Sequence, residues 1–271
     1  MPRKYILASS LEAIEIHFGS KFPKTLDWEP LFVVSPGNES VIITQEKPSE
    51  LTVSVFGLTP AWAKGRMQLI NARAEGDKNP ENNPDFKGSK AIFLKPAFQK
   101  PLFTRRCIVI ADAFIEWSSG ILPKPYLFYL REHKHPIGLA GLYDIWIDPV
   151  TKMQIHSFTI ITAAANSLIR GIQSSRMPVI LPYGQESRWL KQSLSLAEIL
   201  GMLNKYPSKQ MNGYQVSGKI DMPGPYLKEI LSPQGPRLLS EEFPPSLPQQ
   251  SYYGHKKKPD NNTQTLGELK R

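Results

Sequence analysis

Two carboxylates near the middle of the chain have the sequence context of a general acid or base. Asp112 and Glu116 follow a run of apolar residues with strand character, so neither reads as an ordinary surface residue. A carboxylate that lies beside an aromatic side chain at the end of a strand can have a raised pKa and exchange protons with a substrate. The alternative interpretation is a buried carboxylate that forms an ion pair with Arg105 or Arg106.

Cysteine and histidine add little further chemistry. Cys107 is the only cysteine, which excludes an intramolecular disulfide and a cysteine-based zinc site. Because Cys107 lies within the apolar run, we expect a buried structural thiol and not a nucleophile. Among the histidines, only His133 and His135 have the spacing of metal ligands. The sequence also has no nucleophile elbow, no phosphate-binding loop and no dinucleotide-binding glycine motif. We therefore predict no metal and no cofactor.

Three further segments suit contact with a nucleic acid. Asn71 and Arg73 are two residues apart, so an extended segment places an amide and a guanidinium on the same side; the alternative is a solvated turn with an exposed ion pair. Trp62 lies in a loop bounded by Gly and Pro and could stack on a base, or fold back onto the core. Residues 174–181 indicate a helix exit into an extended segment, with Pro178 preventing helix continuation.

The charge balance agrees with a polyanionic partner. The 271 residues include 33 Lys and Arg against 24 Asp and Glu, a formal net charge of +9, and 41% hydrophobic residues indicate a globular protein. A moderately basic protein with no such partner is the alternative. No apolar run approaches the roughly 18 to 20 residues of a membrane helix, and the N-terminus lacks the apolar region of a signal peptide. We expect a soluble protein in a reducing compartment.

Many short strand-like segments, separated by turn residues, dominate the first 231 residues. A capping box is predicted to start a helix at residues 11–18, with Ser9 as the N-cap and Glu12 reaching back. Strands are predicted at 31–34, 41–44, 51–56, 107–110, 126–130, 137–142 and 158–162. Helices are predicted at 166–172, 185–192, 196–204 and 226–231, the third of them behind the capping-box pattern Ser195-x-x-Glu198. Residues 57–99 are predicted to be a long loop region. The pattern predicts an α+β fold with a mostly antiparallel, β-barrel-like core and peripheral helices.

The last forty residues differ in composition from the rest. Residues 232–271 contain six prolines and few hydrophobic residues, so we predict a mostly disordered tail after a single domain at 1–231. The tail carries six basic and four acidic residues, a net charge of +2, so the basic character belongs to the domain.

Taken in order, these segments resemble the SRAP family, the SOS response-associated peptidases understood as abasic-site processing proteins. The resemblance rests on seven stretches in the family's order: residues 35–37, Phe56-Gly-Leu-Thr-Pro-Ala-Trp62, Asn71-Ala-Arg73-Ala-Glu75, residues 105–117, 140–143 and 158–166, and Arg176-Met-Pro-Val-Ile-Leu181. The resemblance implies an SRAP-like fold over residues 1–231 and a role in the DNA damage response.

The resemblance also implies site residues. In the family, a cysteine at position 2 becomes N-terminal and forms a thiazolidine cross-link with the aldehyde of an abasic site in single-stranded DNA. An Asn, a Glu and a His complete that site, and Asn71 and Glu116 match the first two. Arg73 matches a phosphate contact, whereas Trp62 and Pro36 match residues that pack against the DNA. We also assign DNA contacts to Lys4 and to three consecutive residues, Arg176, Met177 and Pro178.

Two critical positions depart from the family pattern. Pro2 stands where the family has its cysteine, and Ser174 stands where it has its histidine. Pro2 has no thiol, so the thiazolidine cannot form. One hypothesis is that removal of Met1 exposes the Pro2 amine, which attacks the aldehyde and permits β-elimination while Glu116 shuttles protons and Asn71 orients the sugar.

Two alternatives remain open at this point. The chain could be a catalytically inactive relative that only binds DNA, or an autoproteolytic peptidase, for which the sequence offers no propeptide beyond Met1. The expected partner is single-stranded DNA, with or without abasic sites, and no membrane partner is expected. The expected setting is a monomer in the bacterial cytoplasm, associated with the nucleoid when DNA is bound.

Overall fold

The computed structural model describes residues 3–23, 31–132, 134–222 and 228–241. The strands are β1 (Lys4–Ile6), β2 (Val33–Val34), β3 (Glu39–Thr44), β4 (Leu51–Phe56), β5 (Asn71–Arg73), β6 (Arg106–Ala111), β7 (Ala113–Trp117), β8 (Pro125–Leu130), β9 (Ile137–Ile147), β10 (Gln154–Ala164), β11 (Arg176–Pro178) and β12 (Met211–Gln215). The helices are α1 (Leu11–Phe18), α2 (Pro96–Thr104), α3 (Ser167–Arg170) and α4 (Leu196–Met202). Short 3₁₀ helices occupy Ile92–Leu94, Glu186–Leu190, Ser208–Gln210, Gly218–Asp221 and Lys228–Leu231. None of the helices in these ranges is long and apolar enough to cross a membrane.

Five strands close into a barrel at the centre of the molecule. They pair in the order β10, β4, β3, β6 and β9, and β9 pairs in turn with β10 along the hairpin that joins them. All of these pairings are antiparallel except that of β4 with β10. The interior of so small a barrel is filled by side chains. A Cβ atom at Gly141 would lie 2.8 Å from Val109 and 2.9 Å from Cys107, so the packing there requires glycine. The predicted α+β fold with a β-barrel-like core is confirmed.

A second, antiparallel sheet lies beside the barrel in the order β12, β8, β7, β1 and β2. Asp112 lies between β6 of the barrel and β7 of this sheet, and it accepts hydrogen bonds from the amides of Ala8 and Ser9 and from the Ser9 hydroxyl. Because the Ser9 hydroxyl is bonded to Asp112, it does not cap the helix. Ser10 is the N-cap of α1, and its side chain accepts a hydrogen bond from the Ala13 amide. The prediction of Ser9 as the N-cap is wrong, because a buried carboxylate 103 residues away uses its hydroxyl.

Most predicted elements are found with shifted ends. The helices predicted at 185–192 and 226–231 correspond to the 3₁₀ helices at Glu186–Leu190 and Lys228–Leu231, and residues 226–227 lie outside the described residues. The strand at 51–56 has the predicted bounds, and Ser195 with Glu198 forms the predicted capping box of α4. The strands predicted at 137–142 and 158–162 extend into a long hairpin of two 11-residue strands. The region at 57–99, predicted as loop, contains β5 and the start of α2, in which Pro96 occupies the first turn.

Residues 232–241, predicted as the start of a disordered tail, run along β12. The amides of Gln234 and Leu238 donate to the carbonyls of Gln215 and Gly213, and Glu241 accepts from the Tyr129 hydroxyl at 2.7 Å. Leu238 and Leu239 pack against the core, so the few hydrophobic residues of this segment are sufficient, with its hydrogen bonds, to hold it in place. Residues 242–271 lie outside the described residues, as does Pro2.

Candidate functional site

Glu116 lies near the end of β7, beside the start of β1. The pairing of Lys4 with Ile115 sets Arg3 next to Glu116 in the antiparallel register. Glu116 is 1% exposed, and the Ser174 hydroxyl donates to its Oε2 across 3.0 Å. Burial raises the pKa of Glu116 to about 7, against the opposing effects of the Ser174 hydrogen bond and the Arg3 charge. A carboxyl group with this pKa can both give and accept a proton near neutral pH.

Trp117 forms an aromatic platform directly after Glu116. The Arg3 guanidinium carbon lies 4.7 Å from the Trp117 ring centroid, within the range of a cation–π contact. The Trp117 indole donates to Asp221 Oδ2 at 2.9 Å, which fixes the ring plane. Lys4, predicted to contact DNA, is partly buried, and its ammonium donates to the Ile220 carbonyl at 2.6 Å.

Asn71 and Arg73 lie on β5 as predicted, on the same side of the strand. Both are partly exposed, whereas Ala72 between them is fully buried. The Arg73 guanidinium donates to the Asn79 carbonyl and, at 3.0 Å, to Asn82 Oδ1. The alternative of a solvated turn is wrong, because β5 pairs in parallel with β10.

Arg176, Met177 and Pro178 form β11 and are buried. Arg176 is 1% exposed; its Nη1 lies 2.9 Å from Glu75 Oε2, and its Nη2 donates to the Thr162 carbonyl at 2.6 Å. Burial lowers the pKa of Arg176, and the adjacent Glu75 carboxylate opposes that shift. Removing one partner of such a buried pair typically costs about 3–5 kcal/mol. All three residues were predicted to contact DNA, but they lie in the interior of the protein.

Trp62 and Pro36 lie on two loops at the surface. Trp62 is 61% exposed, so the alternative in which it folds back onto the core is wrong. Its loop is held by hydrogen bonds from the Thr59 amide to Ser157 Oγ and from the Ala61 amide to Asp144 Oδ2. Pro36 is partly exposed in the turn between β2 and β3.

Strand β10 relates these separate positions to one another. The loop of Trp62 is held by Ser157, and Asn71 pairs with Ile160. The amide of Ala165 donates to the carbonyl of Ser175, directly before β11. A strand rises about 3.3 Å per residue, so the path from Ser157 to Ala165 spans roughly 26 Å. The predicted contacts therefore follow one strand in order, with Ser174 and Glu116 at its C-terminal end.

Two buried carboxylates, Glu75 and Asp112, have partners that sequence reasoning did not predict. Glu75 is the partner of Arg176, and it also accepts from the Ala164 amide at 3.1 Å. Asp112 pairs with neither Arg105 nor Arg106: Arg105 forms an ion pair with Asp144, and Arg106 donates to main-chain carbonyls. The proposed ion pair of Asp112 is therefore wrong. Glu75 lies in the turn that follows β5, and no local pattern marks it as buried.

Cys107 is fully buried in β6, as predicted, and burial raises the pKa of its thiol well above the ordinary value. A thiol in this state is a poor nucleophile. Within the described ranges, no three His, Cys, Asp or Glu side chains come together in a way that could hold a metal ion.

Comparison with known proteins identifies relatives along most of the chain. The family model described as SOS response associated peptidase (SRAP) matches residues 1–223. The abasic site processing protein YoqW of Bacillus subtilis is 33% identical over 205 residues, which cover 73% of this chain and 83% of YoqW. The abasic site processing protein HMCES of Gallus gallus is 29% identical over 160 residues, covering 50% of this chain and 43% of HMCES.

Solved structures share the fold. A crystal structure of a protein from Bacteroides thetaiotaomicron has a TM-score of 0.72 and 27% identity, covering 85% of this chain and 99% of that protein. The structure of a phage-related protein from Bordetella bronchiseptica, at 20% identity and a TM-score of 0.54, covers 79% of this chain and 93% of its own and supports the fold alone. With the family model matched over residues 1–223 and a 33% identical relative covered over most of its length, the chain belongs to the SOS response associated peptidase (SRAP) family.

Proposed function

We propose that this protein binds single-stranded DNA and processes abasic sites at Glu116. The observation that carries the proposal is the buried Glu116 carboxyl group, which has a pKa of about 7 and lies near the end of β7, beside the start of β1. The names of its relatives, abasic site processing proteins, agree with this chemistry. Such a role in the DNA damage response places the protein in the cytoplasm, on the nucleoid when bound.

The proposed reaction uses the amine of Pro2 after removal of Met1. The secondary amine adds to the C1′ aldehyde carbon of the ring-opened sugar, and loss of water gives an iminium ion. A base removes a C2′ proton, the electron pair forms a new double bond, and the 3′ phosphate leaves. Water then hydrolyses the iminium and returns the free amine.

Each residue of the site has a role in this scheme. Glu116 supplies the proton for loss of water and accepts the C2′ proton, because a pKa of about 7 populates both of its forms at neutral pH. Ser174 is a positioning residue, since its hydroxyl donates to the Glu116 carboxylate. Asn71 orients the sugar through its amide.

The DNA strand is proposed to follow β10. Trp62 offers an exposed ring for base stacking, Pro36 an apolar contact, and Arg73 and Lys4 positive charge near the phosphates. The net charge of +9 favours such a polyanion and predicts an affinity that falls steeply with salt concentration. We leave Arg176, Met177 and Pro178 out of this surface because all three are buried.

The test is borohydride trapping on a single-stranded oligonucleotide with one abasic site, using protein whose mass shows that Met1 is absent. We expect a trapped adduct that peptide mapping by mass spectrometry locates at residue 2. Glu116→Gln is expected to slow strand cleavage by about 100-fold, the typical contribution of a general acid–base. The matched control Glu39→Gln, at an exposed position on β3, leaves the rate unchanged.

One observation favours a second function, binding without chemistry: Ser174, which cannot act as a histidine does, occupies the family's histidine position. Salt-dependent binding of the oligonucleotide with no trapped adduct supports that function and overturns the lyase proposal. An adduct that peptide mapping locates on a lysine also excludes Pro2 as the nucleophile. The peptidase activity in the family's name predicts self-cleavage, which the same intact-mass measurement detects.

A further inference from the structure

The turn between β7 and β8 presents two large aliphatic side chains to solvent. Ile121 is 100% exposed and Leu122 is 84% exposed, so neither contributes to the core. The turn is closed by hydrogen bonds between Ser118 and Lys124, at 2.9 Å in each direction, and Gly120 supplies a φ of +125°. Turn positions ordinarily hold small or polar residues, and adjacent exposed aliphatic residues are typical of binding surfaces. We call Ile121 and Leu122 the apolar tip.

The apolar tip is attached to the candidate site on both sides. It follows Glu116 and Trp117 directly along β7. The Ser119 hydroxyl also donates to the Gln173 carbonyl at 2.6 Å, and Gln173 immediately precedes Ser174. The two segments that bring Glu116 and Ser174 together therefore also hold the base of the turn, which fixes the apolar tip beside them.

We propose that the apolar tip packs against the nucleobase that flanks the abasic nucleotide. This inference rests on the proposed function. Aliphatic side chains of DNA-binding proteins can insert between neighbouring bases, and an abasic nucleotide leaves a gap in the base stack where such a side chain displaces no base. The turn at residues 118–124 contains a lysine, Lys124, and no carboxylate, so its charge does not oppose the approach of DNA.

A second exposed turn provides a matched control. Val150 and Met153, between β9 and β10, are 86% and 66% exposed. This turn is closed by Asp148, whose carboxylate accepts from the amides of Val150 and Thr151. It lies at the opposite end of β10 from the segment that precedes Ser174. Removing its aliphatic side chains changes the exposed apolar area to a similar extent without touching the candidate site.

The experiment uses a single-stranded oligonucleotide with a tetrahydrofuran abasic analogue, which cannot react with an amine. The fluorescent base 2-aminopurine is placed directly 5′ of the analogue in one oligonucleotide and directly 3′ in another. We compare the unchanged protein, the double variant Ile121→Ser with Leu122→Ser, and the control Val150→Ser with Met153→Ser. For the tip variant we expect about tenfold weaker binding, the size of one lost stacking contact. We also expect it to lose the 2-aminopurine response on one side of the analogue, and the control to match the unchanged protein.

The outcomes separate the two proposals. If the unchanged protein prefers the analogue but the tip variant binds within twofold and keeps the fluorescence response, the apolar tip does not contact the base and the proposed function stands. If the unchanged protein shows no preference for the analogue over an unmodified strand, the apolar tip does not recognise the gap and this inference fails, whereas the proposed function is decided by the borohydride trapping experiment. If sedimentation shows self-association that the tip variant loses while its DNA binding is unchanged, a second copy of the chain covers the tip and this inference is overturned.

Discussion

Asp112 and Glu116 lie four residues apart and are both buried, but the donors that face them differ in kind. Asp112 accepts from two main-chain amides and from Ser9, all in the segment that joins β1 to α1. Glu116 accepts from the hydroxyl of Ser174, which can rotate towards another acceptor. Burial raises the pKa of both carboxyl groups.

The difference indicates how one segment can supply both a structural and a reactive carboxylate. Main-chain donors cannot move without unfolding the local structure, so the Asp112 carboxylate stays hydrogen-bonded where the two sheets meet. A side-chain donor can exchange its partner for a substrate or a water molecule. Proximity in sequence and equal burial therefore do not give the two carboxylates the same surroundings, and the side-chain donor of Glu116 fits the proton exchange that we propose for it.

The strongest test of this comparison is the stability of Asp112→Ala. The substitution leaves two buried amides and a hydroxyl without their acceptor, and each such loss typically costs about 1–3 kcal/mol. We expect the free energy of unfolding in urea to fall by about 3–5 kcal/mol in total. Glu116→Ala, measured in the same way, should lower it by less. An equal loss for both variants would contradict the distinction.

The second test is the pH dependence of stability. The pKa of Glu116 is raised from 4.5 to about 7 on folding, so between these values the folded state holds a proton that the unfolded state has lost. Glu116 therefore makes unfolding easier as the pH rises through this window, with the full effect above pH 7. Relative to Glu116→Gln, the native protein should lose about 3 kcal/mol of stability between pH 4.5 and 8. A difference that does not change with pH would exclude the raised pKa.

The smallest expected effect is that of Ser174→Ala. Loss of the donated hydrogen bond removes an interaction that favours the charged form of Glu116, so the carboxyl pKa should rise further, by less than about one unit. The pH at which the stability difference with Glu116→Gln reaches its midpoint reports this change. Ser174→Thr retains the hydroxyl and should restore the original midpoint. An unchanged midpoint in Ser174→Ala would show that the bond does not affect proton exchange.

Local sequence patterns predicted what depends on neighbouring residues. Alternation predicted that Asn71 and Arg73 share one side of β5, and the apolar run around Cys107 predicted a buried strand. The capping box at Ser195 and Glu198 was predicted because both partners lie within one turn. The resemblance to the family placed Ser174 and Glu116 in one site, and the structure brings them into contact.

The features that were not predicted involve residues that are distant in sequence. Glu75 and Arg176 are 101 residues apart, and no local pattern indicates that they form a buried ion pair. The segment around Arg176 predicts only a helix exit, so its burial becomes visible only once Glu75 is seen beside it. Closure of the barrel depends similarly on pairings between β9 and both β6 and β10.

The segment at residues 232–241 has a consequence for handling the protein. In its sheet, β12 pairs with β8 on one side, and the amides of Gln234 and Leu238 occupy carbonyls on its other side. A sheet edge with unoccupied main-chain groups is a template for intermolecular strand pairing. A protein shortened to residue 231 would expose that edge and the buried Asn212. Aggregation of such a fragment would therefore result from the exposed edge of β12 and not from a defect in the candidate site.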